Sequence, residues 1–302
     1  MHDLIVIGGG PAGLAATAYA IEKRLDVVLV CTRLGGKAGP NWEGITGADL
    51  LGSDTVAGLR RRVAAQRECI VHDTIVGVMP GEKAFAVVGE QHTLYTRAVL
   101  VAAGAQPIML GLPGESDLLG HGLSYSVETY APLVAGQTVA VMGSDRRALR
   151  GAAELLQQSA RVVLVAPEEG QLTSALAQRL RAHGDIEVLE GYSVQAIEPA
   201  EGRQQRLVAV RQQITRRVTV AAVFVALGLV PGSQPVRQIA AVDPHGFLIV
   251  DAHNQTSLPG LFAAGDVTTL FAEHSLIAIG DGVRAAMRAY DYLLAMEVRS
   301  RK

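Results

Sequence analysis

DLIVIGGGPAGLAATAYAIEKRLDVVLV, Asp3 to Val30, is the stretch that decides the fold. DLIVI reads as a buried strand, GGGPAG as a turn, LAATAYAIEK as a helix and DVVLV as a second strand. Gly8, Gly10 and Gly13 stand in Gly-x-Gly-x-x-Gly spacing, directly after the strand and opening the helix. In that setting the first glycine makes the tight turn and the second lets backbone N–H groups reach a pyrophosphate. The third allows close helix–strand packing, and the helix N-terminus favours negative charge. The stretch therefore predicts a βαβ unit that holds a dinucleotide.

The pattern returns in Thr138 to Val165, as TVAVM, GSDRRA, LRGAAELLQQ and RVVLV. Short strands follow each unit: ECIV, AFAVV and RAVLVAAG after the first, IEVLEG, RLVAV and VFVALG after the second. GFLIVD and LFAAGD come near the end, before a closing helix expected over Ser275–Met296. Breaks rich in Pro and Gly fall at LPGE (112–115) and VDPHG (242–246). The layout predicted is α/β, with two Rossmann-like dinucleotide-binding domains of the three-layer ββα type, the second inserted into the first. Residues 1–115 and 245–302 form the first domain and 116–244 the second.

With 302 residues, 49% hydrophobic and 19% charged, the chain has the composition of a globular protein. A formal net charge of −2 leaves no footprint for nucleic acid or an anionic membrane surface. The longest apolar run, Val220–Val230, is about half the length of a spanning helix. No basic leader precedes the first strand, and a cytoplasmic location is expected. Cys31 and Cys69 are the only cysteines. Two cysteines so far apart exclude a disulfide framework, a Cys-x-x-Cys pair and a thiolate zinc site. Histidines are scattered, so no metal is expected. No Gly-x-Ser-x-Gly elbow points to hydrolysis.

A strand that ends in Gly265-Asp266 can aim a carboxylate at a polyol hydroxyl, as a flavin ribityl chain supplies. This feature, with LVAAGAQP (100–107) and GGK (35–37), makes the first cofactor FAD. Together with DLIVIGGGPAGLAA, GGKAGPNWEG, LPGE, VFVALGLVPGS, TSLPGLFAAGDV and IGDGVRAA, these motifs make the chain resemble the thioredoxin reductase-like flavoproteins from about residue 3 to 295. The resemblance implies FAD contacts at Gly8, Gly10, Pro11, Ala12, Gly13, Cys31, Thr32, Gly35, Gly36, Lys37, Asn41, Ala103, Gly104, Gly265 and Asp266. His274, Ser275 and Leu276 would stand near the flavin ring, and a homodimer is implied.

Some positions depart from the family pattern. Cys31 ends the second strand where many relatives carry a ribose-holding Glu. Lys37 replaces a glutamine, and Glu273-His274-Ser275 replaces Arg-Gln-Ala. A cation at Lys37 would favour a reduced, anionic flavin; the plainer reading leaves its ammonium in solvent. Tyr125 and His274 are the candidate flavin-ring neighbours, each also readable as a packing residue.

The second glycine turn is degenerate. Gly143 keeps the first position, but Asp145 and Ala148 take the second and third. A carboxylate facing a pyrophosphate costs roughly several kcal/mol, enough to abolish micromolar binding. Arg146, Arg147 and Arg150 either grip phosphates in compensation or are solvated charges. NADPH-using relatives carry His-Arg-Arg after the next strand, whereas this chain has Ala166-Pro167-Glu168-Glu169. NADPH use is therefore disfavoured. NADH is left open, with Glu168 able to take a ribose diol.

In thioredoxin reductases the redox-active disulfide lies in the segment entering the second domain. Here GLSYSVETYAPL (122–133) puts Ser126 and Thr129 at the cysteine positions. A hydroxyl cannot form the mixed disulfide of thiol exchange. Tyr125-Ser126-Val127-Glu128 is closer to the thioredoxin reductase-like ferredoxin–NADP reductases, which also lack the dithiol. The function expected is a FAD-containing oxidoreductase passing electrons between FAD and a protein or small redox partner, ferredoxin or flavodoxin reductase-like, with weak or no NADPH use. Two alternatives stand beside it. One is an NADH-dependent flavin reductase. The other is a flavoprotein whose second domain binds another nucleotide, a second flavin or a protein. Arg60, Arg61 and Arg62 read either as a docking patch for an acidic partner or as a solvated helix face.

Overall fold

A computed structural model describes residues 1–38, 52–158, 161–270 and 273–300, the side chains of Ala38, Thr129, Arg299 and Ser300 excepted. Among these residues, 1–38, 52–106 and 230–300 make one compact unit and 107–229 a second.

The chain opens with β1 (His2–Ile7), α1 (Pro11–Glu22) and β2 (Val27–Val30), then α2 (Ser53–Ala64) and β3 (Ile70–Val71). A meander follows: β4 (Ile75–Pro80), β5 (Phe85–Gly89) and β6 (Thr93–Val101). β1 pairs in parallel with β2 on one side and β6 on the other, and β2 pairs with β3. β5 runs antiparallel to the first half of β6 and to β4. Leu4, Ile5 and Val6 are fully buried, because a parallel strand covered on both faces cannot alternate polar and apolar residues.

The chain leaves this unit on β7 (Ala105–Pro107) and enters α3 (Glu115–Leu118), β8 (Leu123–Ser124) and α4 (Val127–Tyr130). The second βαβ unit is β9 (Thr138–Met142), α5 (Arg146–Gln157) and β10 (Arg161–Ala166). After α6 (Ala175–Arg181) come β11 (Ile186–Glu190), β12 (Ser193–Pro199), β13 (Gln205–Arg211), β14 (Ile214–Val220) and β15 (Ala222–Val225). One sheet has the order β11-β10-β9-β15-β8 and is parallel throughout; β12, β13 and β14 form a separate antiparallel meander. Ala148, Leu149, Ala152 and Leu155 of α5 are buried in a core with Val139, Val141, Val162 and Leu164.

The return runs through β16 (Leu229–Pro231) and β17 (Leu261–Ala263) to α7 (Ser275–Ser300). β17 pairs in parallel with Val99–Val101, the end of β6, alongside the half that β5 leaves uncovered. A Cβ at Gly282 of α7 would come 2.1 Å from the Ala12 carbonyl oxygen, so the closing helix lies directly against the α1 backbone. Both units are thus α/β with a parallel sheet and an antiparallel meander.

Three sequence expectations shift. The compact units change over at residues 106/107 and 229/230, earlier in the chain than the expected 115 and 244, because the crossings are made on extended strands. β7 and β16 pair there, while LPGE is a turn inside the second unit and VDPHG one inside the first. GFLIVD is not a strand: Leu248 forms only isolated bridges, to Val242 and Thr268. Its neighbours send their bonds in different directions, Ile249 N–H to Ala241 O and Leu248 N–H to Val267 O, so no ladder develops. The closing helix runs on to Ser300, past Met296.

Candidate functional site

In the first unit the site is assembled around the N-terminus of α1. Gly8 has φ +113, and a Cβ there would lie 2.3 Å from the Ala102 carbonyl oxygen. A Cβ at Gly13 would lie 1.8 Å from Gly8 O. Both positions therefore exclude any larger residue, and the turn closes tightly against the end of β6. Gly10 is different. It is the N-cap of α1 with no side-chain cap, and among the described residues nothing stands within 4 Å of where its Cβ would point. The first turn of α1 starts with Pro11 and has no side chain bonded to its N–H groups at the cap.

Four other segments converge on this turn. Gly35 N–H donates to Gly9 O at 2.7 Å, and a Cβ on Gly36 would meet Gly10 Cα at 2.8 Å. Ala103 lies against Gly8, and Gly104 beside it has φ +70 with nothing among the described residues within 4 Å of its Cβ direction. A Cβ at Gly265 would come 3.1 Å from that of Ala12 and 3.5 Å from that of Ala278 in the first turns of α7. A Cβ at Gly52 would come 2.7 Å from Ser275 Oγ and 3.0 Å from Leu276 Cδ2, so the start of α7 borders the same region. His274 accepts the Leu276 N–H through Nδ1 at 3.2 Å and the Ala278 N–H through its carbonyl. Cys31 is buried with its Sγ beside Gly9; burial pushes the thiol up to about 11. Thr32 is exposed. Asn41 lies outside the described residues.

Lys37 does not stand alone in solvent. Its Nζ donates to Asp266 Oδ2 at 2.9 Å and lies 3.9 Å from Glu273 Oε1. Asp281 of α7, only 3% exposed, lies close enough to Asp266 to feel its charge. Burial pushes the Asp281 carboxyl up. Arg284, bonded at 2.8 Å, and the Gly265 N–H oppose that shift, and the Asp266 charge adds to it. The motifs do not single out Asp281. Its visible signal is a lone acid between two glycines in an otherwise apolar turn of helix.

The second unit repeats the backbone but not the opening. Gly143 has φ +136, and a Cβ there would lie 2.2 Å from Ala226 O, as Gly8 does against Ala102. Asp145 is the N-cap of α5, and its Oδ1 accepts the Ala148 N–H at 2.8 Å. Arg147 donates through Nη2 to Tyr125 O, while Arg146 and Arg150 are exposed. After β10, Glu168 is exposed and Glu169 pairs with Arg211 at 2.6 Å.

GLSYSVETYAPL is a folded part of this unit. β8 pairs with β15, and α4 packs on α5 so closely that a Cβ at Gly151 would meet Val127 Cγ2 at 2.8 Å. Tyr125 is buried and its hydroxyl donates to Glu115 Oε1 at 2.7 Å. Burial, then the Glu115 bond and charge, raise the phenol above its ordinary range. Glu115 also accepts the N–H groups of Leu110, Gly111 and Leu112. It is the second residue that sequence reasoning passes over, although LPGE contains it. Ser126 N–H donates to Ser124 Oγ at 3.0 Å. Arg60 is half-buried, and Arg61 and Arg62 are exposed on α2, where Arg62 pairs with Glu22. Among the described residues no group of His, Cys, Asp and Glu could hold a metal, and no helix is long and apolar enough to cross a membrane.

The profile of the pyridine nucleotide-disulphide oxidoreductases matches residues 2–290. The chain belongs to that family. Members are flavin oxidoreductases that pair FAD with a pyridine nucleotide. The chain is 29% identical over 307 residues to the F component of alkyl hydroperoxide reductase from Pseudomonas putida, covering 97% of this chain and 58% of that protein. It is 30% identical over 308 residues to a bifunctional thioredoxin reductase/thioredoxin of Mycobacterium leprae, covering 97% of this chain and 66% of that one. The chain thus spans somewhat over half the length of the curated relatives it matches. Among solved structures, thioredoxin reductase from Streptococcus pyogenes superposes with a TM-score of 0.84 at 24% identity, over 98% of this chain and 99% of that one. Thioredoxin reductase from Giardia duodenalis gives 0.82 at 22% identity, over 97% and 99%. These likenesses establish the thioredoxin reductase-like fold of this family member.

Proposed function

We propose that the protein is a FAD-dependent oxidoreductase that works without a redox-active disulfide, passing electrons between FAD and a protein or small redox partner, with weak or no use of NADPH. The reading rests on the pair Ser126 and Thr129, which the resemblance puts where the family's dithiol would stand. Cys31 and Cys69, the only cysteines, are both buried in the first unit and give no alternative exchanging pair.

The first unit fits FAD. The uncapped α1 N-terminus and the free space at Gly10 suit a pyrophosphate. Gly35, Gly36, Ala103, Gly104, Gly265 and Asp266 would border the rest, with Pro11, Ala12 and Gly13 forming the first helical turn. FAD supplies one- and two-electron transfer, and the protein sets its access and electrostatic surroundings. Asp266, shared with Lys37, would hold a ribityl hydroxyl. His274 and Ser275 border the region from α7. Glu168, exposed after β10, supplies negative charge where a 2′-phosphate would need cations, which argues against NADPH. Tyr125 gives its hydroxyl to Glu115, which in turn holds the N–H groups of Leu110, Gly111 and Leu112. A redox protein of the ferredoxin or flavodoxin class suits a flavin that has no dithiol relay, and a homodimer and a cytoplasmic setting accord with the family.

The test is an anaerobic spectral titration of the purified protein with NADPH, NADH, reduced ferredoxin, reduced flavodoxin and dithionite in parallel. The reading expects rapid flavin bleaching by dithionite and a reduced redox protein, with NADPH slow or inert. Fast bleaching by NADPH coupled to thioredoxin turnover would refute it. Rapid bleaching by NADH alone would instead favour a flavin reductase.

A further inference from the structure

Gly10 and Asp145 share one backbone conformation. Gly10 has φ −73 and ψ −176, Asp145 has φ −78 and ψ 177, and each is the N-cap of the helix that follows a glycine turn. The turns agree in their first glycine as well, since Gly8 and Gly143 press equally closely on Ala102 O and Ala226 O. They differ in what faces the helix N-terminus. In the first unit no side chain caps the helix, and among the described residues nothing stands within 4 Å of a Cβ at Gly10. In the second, the Asp145 carboxylate takes the Ala148 N–H at 2.8 Å, one of the donors a dinucleotide fold offers to pyrophosphate. Its negative charge also occupies the place where the helix dipole would favour a ligand's charge. Arg147 is engaged with Tyr125 O, and Arg146 and Arg150 are exposed.

We propose that Asp145 is the specificity-determining residue that closes the second turn, its carboxylate standing in for a phosphate of the ligand. The turn keeps Gly143 and has the small Ala148 at its third position, so removal of the Asp145 side chain opens a site for the pyrophosphate of an adenine dinucleotide that lacks a 2′-phosphate. The inference rests on the reading that the native second unit takes pyridine nucleotide weakly or not at all. Glu168, exposed after β10, limits the opened site to the class without the extra phosphate. Asp145→Gly reproduces the residue found at Gly10. Asp145→Ser keeps a neutral capping oxygen and so guards against loss of the helix start.

The experiment is calorimetric titration of ADP-ribose, NADH and NADPH into the wild type, Asp145→Gly and Asp145→Ser, each first incubated with excess FAD and desalted, with circular dichroism recorded on each. The expected result is binding of ADP-ribose and NADH at least about tenfold tighter in Asp145→Gly than in wild type, a smaller gain in Asp145→Ser, and no comparable gain for NADPH. Equal affinity in a folded wild type and both folded variants overturns the proposal, as does wild-type binding of NADH as tight as that of Asp145→Gly. If Asp145→Gly does not fold, the Asp145→Ser comparison decides alone, with no gain counting against. Flavin absorbance in the same wild-type sample is a separate readout: its absence would sink the proposed function and leave the ADP-ribose comparison standing.

Discussion

Lys37 Nζ and Asp266 Oδ2 meet at 2.9 Å, joining the GGK loop to the end of the strand that closes the first unit. The pair sits near a buried second carboxylate, Asp281, and near Glu273. Lys37→Met keeps the aliphatic stem but takes from Asp266 the cation it is bonded to. In the flavin-free protein this is expected to cost about 1–2 kcal/mol in urea unfolding, the range for a charge-assisted hydrogen bond discounted for partial exposure. Asp266→Asn in the Lys37→Met background should recover part of the loss. A double-mutant cycle with no coupling would show that the contact contributes nothing.

Asp145 should also be visible in stability. As an N-cap that accepts a backbone N–H, it is expected to lose about 1 kcal/mol on Asp145→Ala and much less on Asp145→Ser. Chemical denaturation midpoints at constant slope measure both. An Asp145→Ala protein as stable as wild type would mean that the cap is not formed in solution.

Asp73 sets an acid limit. Its side chain is buried and accepts the N–H groups of Thr74, Gln91 and His92, fastening the turn between β5 and β6. Burial pushes its carboxyl up, but these bonds and the His92 ring outweigh burial and hold it below its ordinary 3.8. A carboxyl depressed in the folded state contributes stability that is complete above the unfolded value and lost as pH falls through the folded one. Wild type should therefore lose stability more steeply than Asp73→Asn as pH drops below about 4. Parallel slopes for the two proteins would contradict this.

The thiols give a direct check on the proposal that the protein works without a redox-active disulfide. Cys31 and Cys69 are free and buried, and burial raises both thiols, Cys31 to about 11. Native protein at pH 8 should react negligibly with a disulfide reagent, and denatured protein should show both thiols without any added reductant. Thiols that appear only after flavin reduction would reveal an exchanging disulfide.

Much of the architecture is legible in the sequence because parallel strands and glycine turns leave strong local marks. Val27–Val30 and Val162–Val165 are runs of buried β-branched and aliphatic residues, and Gly8 and Gly143 each stand where a Cβ would strike a carbonyl. The meanders are less visible. β12 and β14 are mostly exposed and polar, as in ITRRVTV, so their pairing with β13 rather than their own hydrophobicity makes them strands. GFLIVD misleads in the opposite direction, apolar enough for a strand but with backbone bonds shared among separate partners. In the site, spacing is enough to place the glycines. The partners of the charged groups are not readable this way, since Lys37 and Asp266, or Asp145 and its own helix, find each other only in three dimensions. The carboxylate at Asp145 reads as an obstacle to phosphate from sequence, but its role as a cap emerges only from the fold.

Whether the first unit holds FAD is the decisive question for this protein. The most direct measurement is the visible spectrum of the purified protein, followed by denaturation and quantification of released flavin. Flavin absorbance is expected, with FAD approaching one per chain as purified or after incubation with added FAD. Protein that is folded, colourless and unable to take up FAD would contradict the assignment.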